Sequence, residues 1–294
     1  MYQLSSGELL KTIKNENTRE AKSISEARQN MRAFHRKFRS DIKLNVESMS
    51  IGDIPVFKIS GPLTSRDKVI LFFHGGGFVV GCTEDHLELC GRLSYAASMP
   101  VISIDYRLSP EYAFPAALED CMASFAWLTE SGFSPSDIAV LGISAGGNLA
   151  ISMCMNLRDT GSSLPAGMVC ISPAVNLTSS HSPAGDVNDW LNPEVLELAR
   201  RVYIKGKDEK NPLISPLCGN LEGLPPVFIQ AGSHELLFAD IVAFKELAEK
   251  SGIKTVFDPW DGMFHCWQMF APVFEPGREA IGVMGAYIRE QIFL

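Results

Sequence analysis

No stretch of about 18 consecutive apolar residues occurs in this 294-residue chain, so no segment reads as a membrane-spanning helix. The opening segment, MYQLSSGELLKTIKNENTREAK, lacks the apolar core of a secretory signal. The seven cysteines, at 82, 90, 121, 154, 170, 218 and 266, contain no C-x-x-C pair, and an odd number makes no complete disulfide framework. That excludes a zinc knuckle, and most of them read as small buried hydrophobes. A reduced, cytoplasmic location is expected. There is no basic stripe: 26 Lys+Arg stand against 34 Asp+Glu, a formal net charge of −8. This balance argues against nucleic acid as a partner and does nothing to recruit an anionic membrane. Internal repeats and low-complexity tracts are also missing.

Apolar residues are not scarce. At 46% hydrophobic the chain is excluded from intrinsic disorder. Residues 1–42 are charged and helix-prone, with Met31, Phe34 and Phe38 at helical spacing, and they predict N-terminal cap helices. Two alternating segments, 46–50 and 55–60, flank Gly52-Asp53 and predict a hairpin. Apolar runs at 69–73, 101–104, 138–143, 168–171, 227–230 and 255–257 then alternate with helical stretches near 85–98, 116–130, 147–159, 238–251 and 277–292. Strands apolar on both faces and separated by helices predict an α/β fold, with a mainly parallel sheet covered on both sides. The catalytic domain is placed at 43–294. It is interrupted at about 174–224 by a Ser-, Pro- and Asn-rich insertion with a helix from Pro193 to Val202. This insertion and the N-terminal helices predict a small helical cap.

Two glycine motifs carry chemistry. Gly142-Ile143-Ser144-Ala145-Gly146 follows an apolar run and opens a helical stretch, the strand–turn–helix setting of a nucleophile elbow. A bare G-x-S-x-G also arises by chance, and its context is what gives this one weight. His74-Gly75-Gly76-Gly77-Phe78 follows another run about 70 residues earlier. Consecutive glycines let backbone N–H groups face a cavity and hold a developing oxyanion, each donor worth about 2.7–4 kcal/mol in the transition state. No G-K-[ST] follows, which disfavours a phosphate loop.

A serine nucleophile needs a neutral imidazole and an acid to orient it. His265 lies in a loop just beyond the last apolar run, where functional groups gather in open α/β sheets, and is the expected base. For the acid, Glu235, Asp240, Asp258 and Asp261 are available. Asp258 and Asp261 would share the histidine's own loop, and Asp240 suits a helix N-terminus. Glu235, at the end of a separate strand, preserves the chain order Ser…acid…His and is preferred.

HGGGF at 74–78, DYRLSPE at 105–111, GISAGG at 142–147, GSHELL at 232–237 and DGMFHCW at 261–267 occur in an order that resembles the hormone-sensitive-lipase-like branch of the α/β-hydrolases, the bacterial family IV esterases. The closing stretch at 264–281 resembles the acetyl-hydrolase and lactone-hydrolase-like members. The resemblance runs from about residue 45 to the end. It implies an α/β-hydrolase fold and a serine carboxylesterase working through an acyl-enzyme, with no cofactor and no metal. Ser144, Glu235 and His265 would be catalytic, and Gly75, Gly76 and Ala145 would form the oxyanion hole. His74, Gly77, Asp105, Tyr106, Arg107 and Glu111 would be structural support, a buried polar network bracing the glycine loop. The chain departs from the family pattern at Ile143, where Asp or Thr is usual, at Ser109 in place of Ala, and at His234.

The expected partner is a small-molecule ester. Phe34, Phe38, Phe78 and Trp190 are expected to line its pocket, and a bulky cap implies poor use of acyl chains beyond about eight carbons. Activity should fall with decreasing pH around ~6.5, the ordinary histidine value. A ligand-binding receptor on the same fold, like the plant gibberellin receptor, would have lost the histidine, whereas His265 is present. A lactone or amide hydrolase would use the same triad. The apolar end of the last helix, Ile288, Ile292, Phe293 and Leu294, suggests a homodimer.

Overall fold

The computed structural model describes residues 4–17, 21–40, 42–62, 64–65, 67–178 and 188–293. Part of the insertion, 179–187, lies outside the described residues. Strands β1 (Asn45–Ile51) and β2 (Ile54–Ser60) form the expected antiparallel hairpin around Gly52-Asp53. The six apolar runs become β3 (Val69–Phe73), β4 (Val101–Ile104), β5 (Ile138–Ile143), β6 (Gly167–Ile171), β7 (Val227–Gly232) and β8 (Thr255–Trp260). The eight-stranded sheet has the order β1-β2-β4-β3-β5-β6-β7-β8, and every pairing from β4 to β8 is parallel.

Burial on both faces explains the uninterrupted apolar runs. Val69, Leu71 and Phe73 join one core with the helices α4 (Ala116–Glu130), α5 (Ala145–Asp159) and α7 (Phe238–Lys250). Ile70 and Phe72 point to the opposite core, shared with α3 (Leu87–Ala97) and α8 (Glu275–Tyr287). Side chains alternate across a strand, so a run must be apolar at every position to serve both layers. Each such side chain contributes about 1.5–3 kcal/mol on burial.

The N-terminal segment forms α1 (Ser6–Asn17) and α2 (Ile24–Arg36), the latter capped by Ser23, whose side chain accepts from the Glu26 N–H. Leu9 and Ile13 are fully buried, and Phe34 and Phe38 pack edge-on against Phe270. Phe34 of α2 and Phe38 just beyond it are thus spent on the segment that follows His265. The insertion contributes α6 (Pro193–Ile204), begun by Asn192, which accepts from the Glu194 and Val195 N–H groups. At the C-terminus, Ile288 and Ile292 are buried and Phe293 packs on the same core, with the Lys68 ammonium over its ring. These three residues thus close this chain's own core, and Leu294, named with them in the homodimer expectation, lies outside the described residues. No described helix is long and apolar enough to cross a membrane.

Candidate active site

Ser144 sits between the end of β5 and the start of α5 with φ 55° and ψ −117°. A non-glycine residue held there costs about 1–3 kcal/mol and persists only where the surroundings enforce it. Here they do. The Ser144 N–H donates to Ile171 O (2.8 Å), and its carbonyl accepts from Gly147, Asn148 and Ala174. A Cβ at Gly146 would collide with the Phe73 carbonyl, so only glycine allows the helix to start this close to β3.

The ends of β5, β7 and β8 bring three side chains together. His265 Nε2 lies 2.9 Å from Ser144 Oγ, and Nδ1 lies 2.8 Å from Glu235 Oε2. The other carboxylate oxygen, Oε1, accepts from the Gly232 N–H (2.5 Å) and the Ser172 hydroxyl (3.0 Å). Both His265 and Glu235 are buried. Burial alone pushes both toward neutrality, the imidazole pKa down and the carboxyl up. For His265 this is outweighed by the Cys266 sulfur and the Glu235 carboxylate, and its pKa stands well above the ordinary histidine value. For Glu235 burial prevails over the contact with His265, and its carboxyl is pushed up.

The glycine loop departs from expectation at one residue. The Gly75 N–H donates to His86 Nε2 (3.2 Å), so it is committed to the protein and not offered to a ligand. Among the described residues, no partner takes the amides of Gly76, Gly77 or Ala145. Gly77, expected as structural support, lines the cavity with Ser144 and Ala145. Gly76 has φ 119°, and a Cβ there would strike Val80 O, so the loop's path requires glycine at that point. His74 is buried under the loop, its Nδ1 2.8 Å from the Gly75 carbonyl and its ring stacked on Tyr106 at 4.0 Å.

The DYRLSPE segment braces the loop only in part. The Tyr106 hydroxyl donates to His74 O (2.8 Å), and Asp105 accepts from the Thr83 N–H (2.6 Å). Arg107 instead pairs with Asp120 of α4, and Glu111, half exposed, pairs with Arg28 of α2. The expected fully buried network therefore divides, because Arg107 and Glu111 point toward the surface helices. Arg28 itself donates to Val79 O and Ser109 O, so α2 is tied to the end of the glycine loop.

A cavity of about 190 Å³ opens at Ser144, lined by Gly77, Phe78, Ala145 and Leu237 below and by Leu196 and Arg200 of α6 above. Of the four aromatic residues expected there, only Phe78 lines it. Phe34 and Phe38 are occupied with Phe270, and Trp190 donates its indole N–H to the His265 carbonyl (2.7 Å). Among the described residues the cover of the cavity is thus α6, and none from the N-terminal helices lines it. Sequence reasoning missed Ser172 and Asp189. Ser172 stands immediately beyond the end of β6, the same strand-end position that marked the triad, and could have been found by that rule. Asp189 carried no motif.

A Ser–His–Glu relay at the carboxyl ends of a parallel sheet, with a glycine loop beside it, defines a serine hydrolase of the α/β-hydrolase class. Residues 70–269 match the family model described as alpha/beta hydrolase fold. The chain is 39% identical over 231 residues to an acetyl-hydrolase of Streptomyces hygroscopicus, covering 78% of this chain and 77% of that one. It is 33% identical over 221 residues to an esterase of Acinetobacter venetianus, covering 74% and 73% respectively. Among solved structures, an esterase from the bacterial hormone-sensitive lipase family superposes with a TM-score of 0.92 at 33% identity, covering 97% of both chains. The chain belongs to the α/β-hydrolase family, in its hormone-sensitive-lipase-like branch of carboxylic ester hydrolases.

Proposed function

We propose that this enzyme hydrolyses small, short-chain acyl esters, with Ser144 as nucleophile, His265 as general base and acid, and Glu235 as the orienting carboxylate. The observation that carries this reading is the continuous contact from Ser144 Oγ through the His265 ring to Glu235, at 2.9 and 2.8 Å. Ser144 Oγ bonds to the ester carbonyl carbon while Nε2 accepts the hydroxyl proton. The tetrahedral oxyanion is held by the amides of Gly76, Gly77 and Ala145, the last at the N-terminus of α5, where the helix dipole also favours negative charge. Collapse breaks the bond to the alkoxy oxygen, which takes the proton from Nε2 and leaves as the alcohol. Water then gives a proton to Nε2 and bonds to the acyl carbon; collapse breaks the bond to Ser144 Oγ, which takes that proton back from Nε2, and the carboxylic acid is released.

A cavity of about 190 Å³ under α6 supports small acyl groups. Seven free cysteines, six of them buried, support a reducing compartment, and the cytoplasm is the location we assign. The test is hydrolysis of p-nitrophenyl acetate, butyrate, octanoate and palmitate by wild type and Ser144→Ala. Short-chain turnover that disappears in Ser144→Ala is expected. A rate that peaks at palmitate overturns the chain-length assignment, and no turnover by folded wild type overturns the esterase reading.

A further inference from the structure

The backbone of His265 is held entirely from the insertion. Its N–H donates to Asp189 Oδ1 (3.0 Å), and its carbonyl accepts from Trp190 Nε1 (2.7 Å). Among the described residues neither group has another hydrogen-bond partner. The second carboxylate oxygen of Asp189, Oδ2, accepts from the N–H of Leu236 (2.8 Å), the residue immediately after Glu235. One buried carboxylate therefore ties the acid loop beyond β7 to the base loop beyond β8. A third donor, the Trp190 N–H, satisfies Oδ1 at 2.7 Å. Asp189 does not itself line the cavity, and it meets the wall only through the backbone N–H of Leu236. A buried charge is costly unless fully paired, and among the described residues its donors are three backbone amides, two of them from the triad loops.

We propose that Asp189, with Trp190, is a positioning residue for catalysis: it sets the spacing between Glu235 and His265 by clamping their two loops from the cap. The proposal rests on the triad reading above. Its physical basis is that the Glu235–His265 contact joins two separate strand ends. Loop displacements of about 1 Å between such groups can cost about a hundredfold in rate. The clamp's side chains stand outside the cavity and touch its wall only at a backbone N–H, so the rate should depend on it far more than substrate binding does.

The experiment compares wild type, Asp189→Ala, Asp189→Asn and Trp190→Phe on p-nitrophenyl butyrate. Functional serines are counted by the stoichiometric p-nitrophenolate burst with diethyl p-nitrophenyl phosphate, run to completion. Asp189→Ala should lower kcat per titrated serine about ten- to a hundredfold while KM stays within about twofold, because a misplaced base slows acylation and deacylation alike. Asp189→Asn keeps an oxygen for the His265 N–H but faces Leu236 with a donor, so its loss should be smaller. Trp190→Phe keeps the ring and removes only the indole donor, and a loss of severalfold in kcat per titrated serine is expected. A reduced titrated fraction with kcat per serine within about twofold of wild type in Asp189→Ala overturns the proposal. If Asp189→Ala does not fold, unchanged kcat per serine in both Asp189→Asn and Trp190→Phe overturns it equally. Wild type that neither turns over ester nor titrates overturns the esterase reading itself, a result distinct from either.

Discussion

Gly75 gives its amide hydrogen to His86 Nε2 at 3.2 Å, and His86 Nδ1 in turn lies 3.0 Å from the Cys82 carbonyl. The first glycine of the loop is therefore a structural anchor, while the amides of the second and third have no partner among the described residues and the third lines the cavity. This arrangement requires His86 neutral, with the proton on Nδ1, because a protonated Nε2 would oppose the Gly75 donor. Burial and the neighbouring His74 hold its pKa down to about 3, which keeps it neutral.

His86→Leu removes the acceptor and leaves the Gly75 N–H buried and unpaired. A loss of about 1–3 kcal/mol in folding stability is expected, with a lower kcat from a loosened loop. Urea unfolding and steady-state rates on p-nitrophenyl butyrate check both. An unchanged midpoint would mean that the amide finds another partner.

Acid should unfold the protein earlier than its exposed surface suggests. His74 is pushed down to about 4 and His86 to about 3, both by burial, against about 6.5 in the unfolded chain. A depressed folded-state pKa means that the unfolded state takes up protons first. Their stabilising contribution is therefore complete above about 6.5 and is lost as pH falls toward 4 and then 3. Between those limits each histidine costs about 1.4 kcal/mol per pH unit. Denaturant midpoints at pH 7.5, 6 and 5 should fall in that order; equal midpoints at 7.5 and 5 would refute the assignment.

The rate should show the opposite displacement. His265 must be neutral to accept the Ser144 proton, and its pKa is raised by the Cys266 sulfur and the Glu235 carboxylate against the effect of burial. A raised pKa keeps the inactive imidazolium present to higher pH. The acid limb of kcat/KM should therefore lie above ~6.5, not at it as the sequence suggested. In Glu235→Gln the limb should move to lower pH, because a neutral amide stabilises imidazolium less. A limb below about 6 in wild type would contradict the geometry of the pair.

Glu235→Gln should lower kcat by about 10²- to 10⁴-fold, since the amide fails to hold the correct tautomer and to stabilise the imidazolium. Asp240→Asn and Asp261→Asn should stay within about threefold of wild type, because these carboxylates contact Asn176 and Ser233 rather than His265. A large loss in either, with Glu235→Gln active, would reassign the acid.

How much of this was legible in the sequence follows from which rules are local. Strand β5, the Ser144 turn and helix α5 could be read directly, because a buried strand must be apolar throughout and a turn this tight must have glycine. The spacing of Glu235 and His265 beyond two such strands was legible for the same reason: parallel topology brings strand ends to one edge. Other features depended on what packs where. Phe34 and Phe38 have the pattern of an apolar stripe whatever they lie on, and only the assembled fold shows that they meet Phe270 rather than substrate. The aim of the Gly75 amide depends on His86, eleven residues away across a turn. The two hydrogen bonds of the His265 backbone depend on Asp189 and Trp190, about 75 residues upstream. Periodicity and glycine are properties of neighbouring residues and so are written in the chain. The direction of a single N–H, and the side chain that meets it, are set only when distant segments are packed against each other.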